Sequence, residues 1–522
     1  MQTGRATLVV AAGVLHAASI ANPWSGQPVG WLQIVALSTF ILQLLQLTEP
    51  RQAAMAGWLF ATGWLAGTFW WLFVAMHTYG GLPAPLAALA VVALAATLAV
   101  YYAVASAAYA VLAPANRWLG AALFAALWLL AELARGVWFT GFGWGGSAYA
   151  HVDGLAVSVQ YIGAYGLAAS VAFIAYLVAA SVHANGLARR VRFVGVSCLI
   201  VVLMVWSPRE NTRPTSTLDV ALLQGNIPQD EKFQPGTGVA DALRWYAEQL
   251  AGAGATLVVA PETAIPLLPQ QLPPAYWEAL QQRYRSGAQA ALVGVPMGNL
   301  VDGYTNSVVG FRPGTGLPAP ESPYRYDKHH LVPFGEFIPP YFKWFTEMMS
   351  IPLGDFSRGA VGQPSFAWRG ERLAPNICYE DLFGEELAAR FADAATAPTI
   401  FVNVSNIGWF GDTIAIDQHL SISRMRALEF ERPFVRATNT GDTAVIDHTG
   451  RVTHALARHT RGVLLAQVQG REGLTVYAWW SGRFGLWPLW ILGVAVVAFA
   501  TVLRLRQTEH HPMQPSLPPD GR

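Results

Sequence analysis

At 522 residues the chain is too long for one ordinary domain. It is 53% apolar and only 12% charged, about half the charge of a typical soluble domain. A formal net charge of +1 leaves no electrostatic footprint for a nucleic-acid partner, and two cysteines, one of them in an apolar run, argue against a structural disulfide.

The charge is uneven. Most of it follows residue 207, so the two parts of the chain are suited to different solvents. Seven apolar runs fill the first part, near 6–22, 30–47, 56–76, 84–112, 118–137, 160–183 and 191–207, and an eighth lies near 484–503. Most approach the roughly 20 residues that a helix needs to cross a bilayer. The first run, with Arg5 before it, could also be a signal peptide, but six further runs follow it and favour a retained anchor. Basic residues set the orientation. Arg5, Arg51, Arg117, the Arg189, Arg190 and Arg192 cluster, Arg504 and Arg506 fall on one side, and the intervening turns carry almost none. The expectation is eight spans with both termini cytoplasmic and the 208–480 region outside, in the periplasm of a bacterial inner membrane.

Glu132 and Arg135 lie one helical turn apart at the end of the fifth run and could pair. Such a pair is either structural or functional. The aromatic, glycine-rich loop 140–146 that follows suits the membrane interface.

From Leu218 short β-rich runs alternate with helical stretches. Strands are predicted at 218–224, 256–260, 290–295, 306–311, 373–378, 399–404, 434–438, 443–447 and 462–468, and helices at 238–252, 275–286, 382–392 and 417–431. The alternation argues one α/β domain. The resulting division is a membrane domain over 1–207, a soluble domain over 208–480, an eighth span over 481–506 and a disordered tail over 507–522.

Chemistry gathers at four places. At 257–266 an apolar run ends in Glu262, a carboxylate between two prolines that suits a general base or a solvated loop. The 326–339 run sets Lys328 and Glu336 among prolines and aromatics. Lys328 could hold an oxyanion, and Glu336 could orient its neighbours. His329 and His330 look like metal ligands, but no third ligand stands at suitable spacing. At 372–381 an apolar run ends in Cys378, with Asp381 positioned to cap a helix through Glu385, Glu386 and Leu387. That strand-to-helix elbow would favour a thiolate through backbone N–H groups and the helix dipole. A lone cysteine is more often an inert buried one, so its companions decide. At 401–412 an aromatic, glycine-flanked loop reads as a hairpin or as a lid touching lipid, and Arg424, Arg426 and Glu429 follow it at helical spacing.

Glu262, Lys328 and Cys378, in that order, resemble the Glu-Lys-Cys triad of the carbon–nitrogen hydrolase (nitrilase) superfamily over about Leu218 to Gln469. That resemblance implies an α-β-β-α sandwich. With the spans included, the chain is similar to the membrane-bound, lipoprotein-acylating branch of that superfamily. The carriers are Gln224 to Gln229, His330 to Pro339, Ile377 to Glu380 and Asn406 to Gly411. What this implies is a multi-pass helical bundle joined to a nitrilase-type domain. It would transfer the sn-1 acyl chain of a phospholipid, phosphatidylethanolamine above all, through a Cys378 thioester to the N-terminal amine of a diacylated lipoprotein, without metal or other cofactor. Glu336, Tyr379 and Glu380 match supporting positions. Phe233 stands where the family carries Trp, which keeps the ring and loses the indole N–H. Two rivals stay open: a membrane-tethered amidase or nitrilase that passes its acyl group to water, and a transporter or receptor with an inactive hydrolase domain.

Overall fold

A computed structural model describes residues 3–206, 210–299, 301–314, 323–340, 344 and 355–509. The expected disordered tail, 507–522, begins inside a helix that runs to Glu509, and from residue 510 onward it lies outside the described residues.

Each of the eight apolar runs is helical: Thr3–Ile20, Gly30–Leu44, Pro50–Thr68, Ala84–Leu112, Arg117–Val137, Val159–Val182, Leu187–Val205 and Trp487–Glu509. By length and composition, five helices of the described residues can cross a membrane. A sixth counts if Pro50–Thr68 and Leu72–Tyr79 are one span bent by 63°. The Gly30–Leu44 helix is short at 15 residues, and Leu187–Val205 opens on Arg189, Arg190 and Arg192. Large apolar side chains such as Leu89, Val104 and Ile491 are more than half exposed, as a lipid-facing surface requires. Inside the bundle small residues permit close approach. A Cβ on Gly13 would lie 2.1 Å from the Phe60 carbonyl oxygen, so only glycine lets the first and third helices cross there.

Glu132 and Arg135 do not bond each other. Glu132 accepts from the Ser147 N–H and hydroxyl and from Trp128 Nε1. Arg135 donates to Tyr102 Oη and to the carbonyls of Phe142 and Trp144. The 138–147 loop folds back into the bundle, and its backbone supplies nearer partners than a side chain one helical turn away.

In the soluble part the strands are β1 (Thr212–Gln224), β2 (Leu257–Ala260), β3 (Ala290–Asn299), β4 (Gly303–Phe311), β5 (Tyr324–Asp327), β6 (Phe366–Trp368), β7 (Glu371–Ile377), β8 (Ile400–Ser405), β9 (Phe434–Thr438), β10 (Ala444–Ile446), β11 (Val452–Ala455) and β12 (Gly462–Gly473). They form two six-stranded sheets, ordered β12-β1-β2-β3-β4-β5 and β11-β10-β9-β8-β7-β6. The sheets pack face to face because their side chains alternate. Leu218, Val220 and Leu222 of β1 meet Ile377, Val402 and Val435 of the other sheet. The intervening Ala221 and Leu223 face the helices Gly238–Gly252 and Tyr276–Arg285. On the far face, Phe401 and Phe434 pack with Phe391, Phe430 and Tyr477 beneath the Ala415–Phe430 helix. The result is a nitrilase-like α-β-β-α sandwich.

The two parts share one core. Tyr379, Phe383, Ile407, Ile416 and Met425 of the sandwich belong to the same apolar cluster as Phe60, Trp64 and Leu167 of the spans. Gln418 sits at the seam. Its Oε1 accepts from Trp71 Nε1 at 2.9 Å and Trp144 Nε1 at 2.7 Å, and its Nε2 donates to the Thr68 carbonyl at 2.9 Å. It thus grips the bent span where its helix stops.

Candidate active site

Strand ends place the four polar groups of the site. β2 runs parallel to β3, and Glu262 follows two residues after β2 ends. Lys328 follows β5, Cys378 follows β7, and Asn406 follows β8, which is parallel to β7. β2 and β5 belong to one sheet and β7 and β8 to the other, so side chains far apart in the chain can meet where the two packed sheets end.

They do converge. Lys328 Nζ lies 3.4 Å from Glu262 Oε1 and donates to Glu336 at 2.9 Å. Asn306 Nδ2 donates to both carboxylates, at 2.7 Å to Glu262 and 2.8 Å to Glu336. The Asn406 N–H holds the other Glu262 oxygen at 2.9 Å, and the Val332 N–H holds Glu336 at 2.8 Å. Gly294 of β3 makes room for this turn, since a Cβ there would lie 2.2 Å from the Pro261 oxygen and 2.7 Å from Glu262 Cα.

Cys378 takes a left-handed φ of 57° as β7 passes into a helical turn over Cys378–Leu382. A non-glycine residue pays for that conformation in strain, which is common where a side chain must be presented. The elbow is fastened on both sides. The Ile377 N–H donates to Glu380 at 2.7 Å. Asn403 Nδ2 and His419 Nε2 donate to the Cys378 carbonyl, at 2.8 and 3.2 Å. Arg436 Nη2 donates to His419 Nδ1 at 3.1 Å, which fixes the ring's proton on Nε2.

The expected helix cap by Asp381 is not formed. The helix Gly384–Ala388 begins after Phe383 without a side-chain cap. Asp381 instead faces inward to His419 at 3.1 Å, Arg436 at 3.4 Å and Ser423. Buried beside a cation, its carboxylate has stronger donors there than the backbone amides of a five-residue helix.

The electrostatics also depart from the sequence reading. Burial pushes the Cys378 thiol up to about 12, the Glu262 charge adds to this, and Lys328 only partly offsets it. The resting sulfur is a thiol and not the expected thiolate, because a desolvated site already holding carboxylates resists a further negative charge. Burial acts upward on Glu262 as well, but Lys328, Asn306, Lys232 and the Asn406 N–H outweigh it and hold the carboxyl below its ordinary range. For Lys328 burial acts downward, and Glu336 and Glu262 win, leaving it firmly an ammonium. The three groups therefore rest as carboxylate, ammonium and thiol.

The supporting residues fall into two sets. Glu336, Tyr379 and Phe233 line the same cavity as Glu262, Lys328 and Cys378, with Phe233 41% exposed. The Tyr379 ring centre lies 5.7 Å from Lys328 Nζ, and its hydroxyl donates to the Leu331 carbonyl. Glu380 stands behind the site. It accepts from the His329 and His330 N–H groups and from Tyr326 Oη, and so ties the elbow to the lysine loop. His329 and His330 point apart, to the Gly359 carbonyl and to Glu386. The 406–411 loop is a helical turn over Ile407–Phe410 and not a hairpin. Its Phe410 ring lies 4.3 Å from Trp71 of the bent span.

Three contributors escaped the sequence reading. Asn306 sits inside β4, where only an amide in a buried strand marks it. His419 is one of several polar residues on its helix. Lys232 lies in a run of charges that reads as a solvated turn, with its closeness to Phe233 the one hint.

The cavity has a volume of about 2050 Å³. It runs from Cys378, Glu262 and Lys328 past Trp71, Phe142 and Trp409 to the span side chains Leu89, Leu94, Val104 and Val494. Its walls are overwhelmingly apolar, and Glu262, Lys328, Glu336 and Cys378 gather at one end of it. An acyl chain fits such walls and an ester fits such an end.

Comparison with known proteins agrees. Residues 12–177 match the family model "Apolipoprotein N-acyltransferase N-terminal domain", and residues 219–475 match "Carbon-nitrogen hydrolase". The chain is 58% identical to the apolipoprotein N-acyltransferase of Verminephrobacter eiseniae, over 91% of this chain and 92% of that one. It is 42% identical to that of Ralstonia nicotianae, over 96% and 94%. A solved carbon–nitrogen hydrolase of Helicobacter pylori is 18% identical and superposes with a TM-score of 0.34, covering 48% of this chain and 88% of that one. With relatives this similar along nearly its whole length, the chain belongs to the apolipoprotein N-acyltransferase family.

Proposed function

We propose that the protein moves an acyl chain from a membrane phospholipid to the N-terminal amine of a diacylated lipoprotein, with Cys378 as the nucleophile. One observation carries the reading: an apolar cavity open along the spans ends at the Glu262, Lys328 and Cys378 cluster.

In the first half Glu262 takes the Sγ–H proton as sulfur attacks the sn-1 ester carbonyl. The oxyanion is held by Lys328 and by a backbone N–H near Tyr379. Collapse breaks the ester C–O bond, Glu262 returns its proton to the leaving oxygen, and a lysophospholipid departs from the thioester. In the second half the lipoprotein amine attacks that thioester. Glu262 accepts the amine proton, the C–S bond breaks, and the proton goes back to sulfur. Phosphatidylethanolamine is the preferred donor on family likeness.

The eight helical runs act as eight spans, with both termini in the cytoplasm and the sandwich in the periplasm, anchored in the inner membrane of a bacterium. The clustering of arginine at alternate turns supports that orientation. Cys378→Ser should abolish transfer, whereas a transporter with an inactive hydrolase domain would keep its activity in that variant. Incubation with labelled phospholipid should give an intact mass raised by one acyl chain at Cys378. Rapid release of free fatty acid without a persisting adduct would favour the hydrolase instead.

A further inference from the structure

We propose that Lys232 is a second cation of this active site, a positioning residue that holds Glu262 by its main chain and by its charge keeps that carboxylate ionised until it takes the thiol proton. This rests on the reading of Glu262 as the general base.

The placement of Lys232 is unlike that of a solvated turn. Only 1% of the residue is exposed, although Asp230, Glu231 and Gln234 around it face solvent. Its Nζ donates to the Glu262 carbonyl oxygen at 3.1 Å and lies 6.0 Å from the centre of the Phe233 ring. The segment is fixed by local bonds. The Lys232 N–H donates to the Pro228 carbonyl, and the Gln234 N–H to that of Glu231. The next residue, Phe233, lines the cavity. The lysine thus stands behind the wall that the substrate touches.

Charge balance supplies the reason. Glu262 and Glu336 share one amide donor, Asn306 Nδ2, and one ammonium, Lys328 Nζ. Two carboxylates sharing one cation tend to retain a proton between them. A base that holds a proton cannot take another. The groups facing Glu262 are Lys328, Asn306, the Asn406 N–H, Lys232 and the Cys378 thiol, with Glu336 behind the first two. Of these only Lys328 and Lys232 are cationic, and Lys328 bonds more closely to Glu336 than to Glu262. Lys232 therefore supplies the charge that Glu336 draws away. The influence is mutual. Burial lowers Lys232 to about 7, with Glu262 and Cys378 acting upward. In the acidic range where Glu262 itself titrates, Lys232 is fully charged. The cluster holds two carboxylates, two ammonium groups and the thiol, and proton transfer from Cys378 to Glu262 leaves its net charge unchanged.

Single-turnover thioester formation from phospholipid, read by intact mass against pH in the full-length protein, tests this. Lys232→Gln keeps a donor and removes the charge, Lys232→Met removes both, and Lys232→Arg keeps the charge. Expected is an acid limb moved up by about one pH unit in Gln and Met, about tenfold slower acylation on the original limb, and an unmoved limb in Arg. Equal loss of rate at every pH, or a wild-type limb in Lys232→Gln, would overturn the proposal and leave Lys232 as packing. Should Lys232→Met fail to fold by its melting profile, the Gln and Arg pair gives the same reading. Glu262→Gln separates the two levels. If it still forms the thioester, the base assignment itself fails. If it is inactive while Lys232→Gln titrates like wild type, only the role of Lys232 fails.

Discussion

The proposed chemistry depends on three side chains whose charge states are set by one another. Lys328→Met should fold and insert, yet form thioester at least about 100-fold more slowly, because the oxyanion loses its fixed charge. Intact-mass analysis after a phospholipid chase reads this directly. The pH profile has a defined sign. Glu262 works as a carboxylate, and its neighbours hold it below the ordinary range. Acylation should stay level as pH falls through that ordinary range and drop only below it. These three positions were legible in the sequence: Glu262 and Cys378 each end an apolar run, and Lys328 stands in a polar run marked by prolines and aromatics. Lys232 and Asn306 were not. A lysine among Asp230 and Glu231 looks solvated, and only the fold turns it inward beneath Glu262.

At the scale of elements, the nucleophile's elbow is braced from two directions. Asp381 joins it to the Ala415–Phe430 helix through His419 and Ser423, and to β9 through Arg436. Burial acts upward on Asp381, but His419 and Arg436 prevail and its carboxyl lies below the ordinary range. Its stabilisation is therefore present above the unfolded value and lost as pH falls through the lower folded one. Asp381→Ala should destabilise the protein by about 3–5 kcal/mol, because it strands a buried arginine, and a thermal melt measures it. Gly294→Ala is the complementary case. Its Cβ would push the Pro261–Glu262 turn out of place, so acyl transfer should fall more than tenfold, and the melting temperature should fall as well because buried backbone must shift. Of the strands, nine were predicted. The other three, β5, β6 and β11, have four residues or fewer and carry charged or exposed residues, so no apolar run marks them as β2 and β10 are marked. The 382–392 stretch was read as one helix and is a short helix over Gly384–Ala388 followed by a 3-10 turn over Ala389–Phe391.

For the whole molecule, the cavity joins the span surface to the thiol. Ala90 lines its membrane end. Ala90→Trp should slow acylation by a long-chain phospholipid about tenfold while sparing a short-chain donor; equal rates for both would place the acyl chain elsewhere. The spans were legible because apolar length is a strong sequence feature. The break after Thr68 was not, since the group that satisfies its free carbonyl is Gln418, some 350 residues away. That remoteness is general here: pairings across sheets and between the two parts leave little local trace.

The apolar cluster common to the spans and the sandwich has a practical corollary. Phe383, Ile407, Ile416 and Met425 are covered by helices that a truncated protein would lack. Excised on its own, the 210–475 stretch would present an oily flank to water. It should self-associate and elute near the void volume in gel filtration unless detergent is added. A catalytic domain built this way is no detachable cargo on a membrane anchor, and swapping it onto a foreign anchor should fail for the same reason.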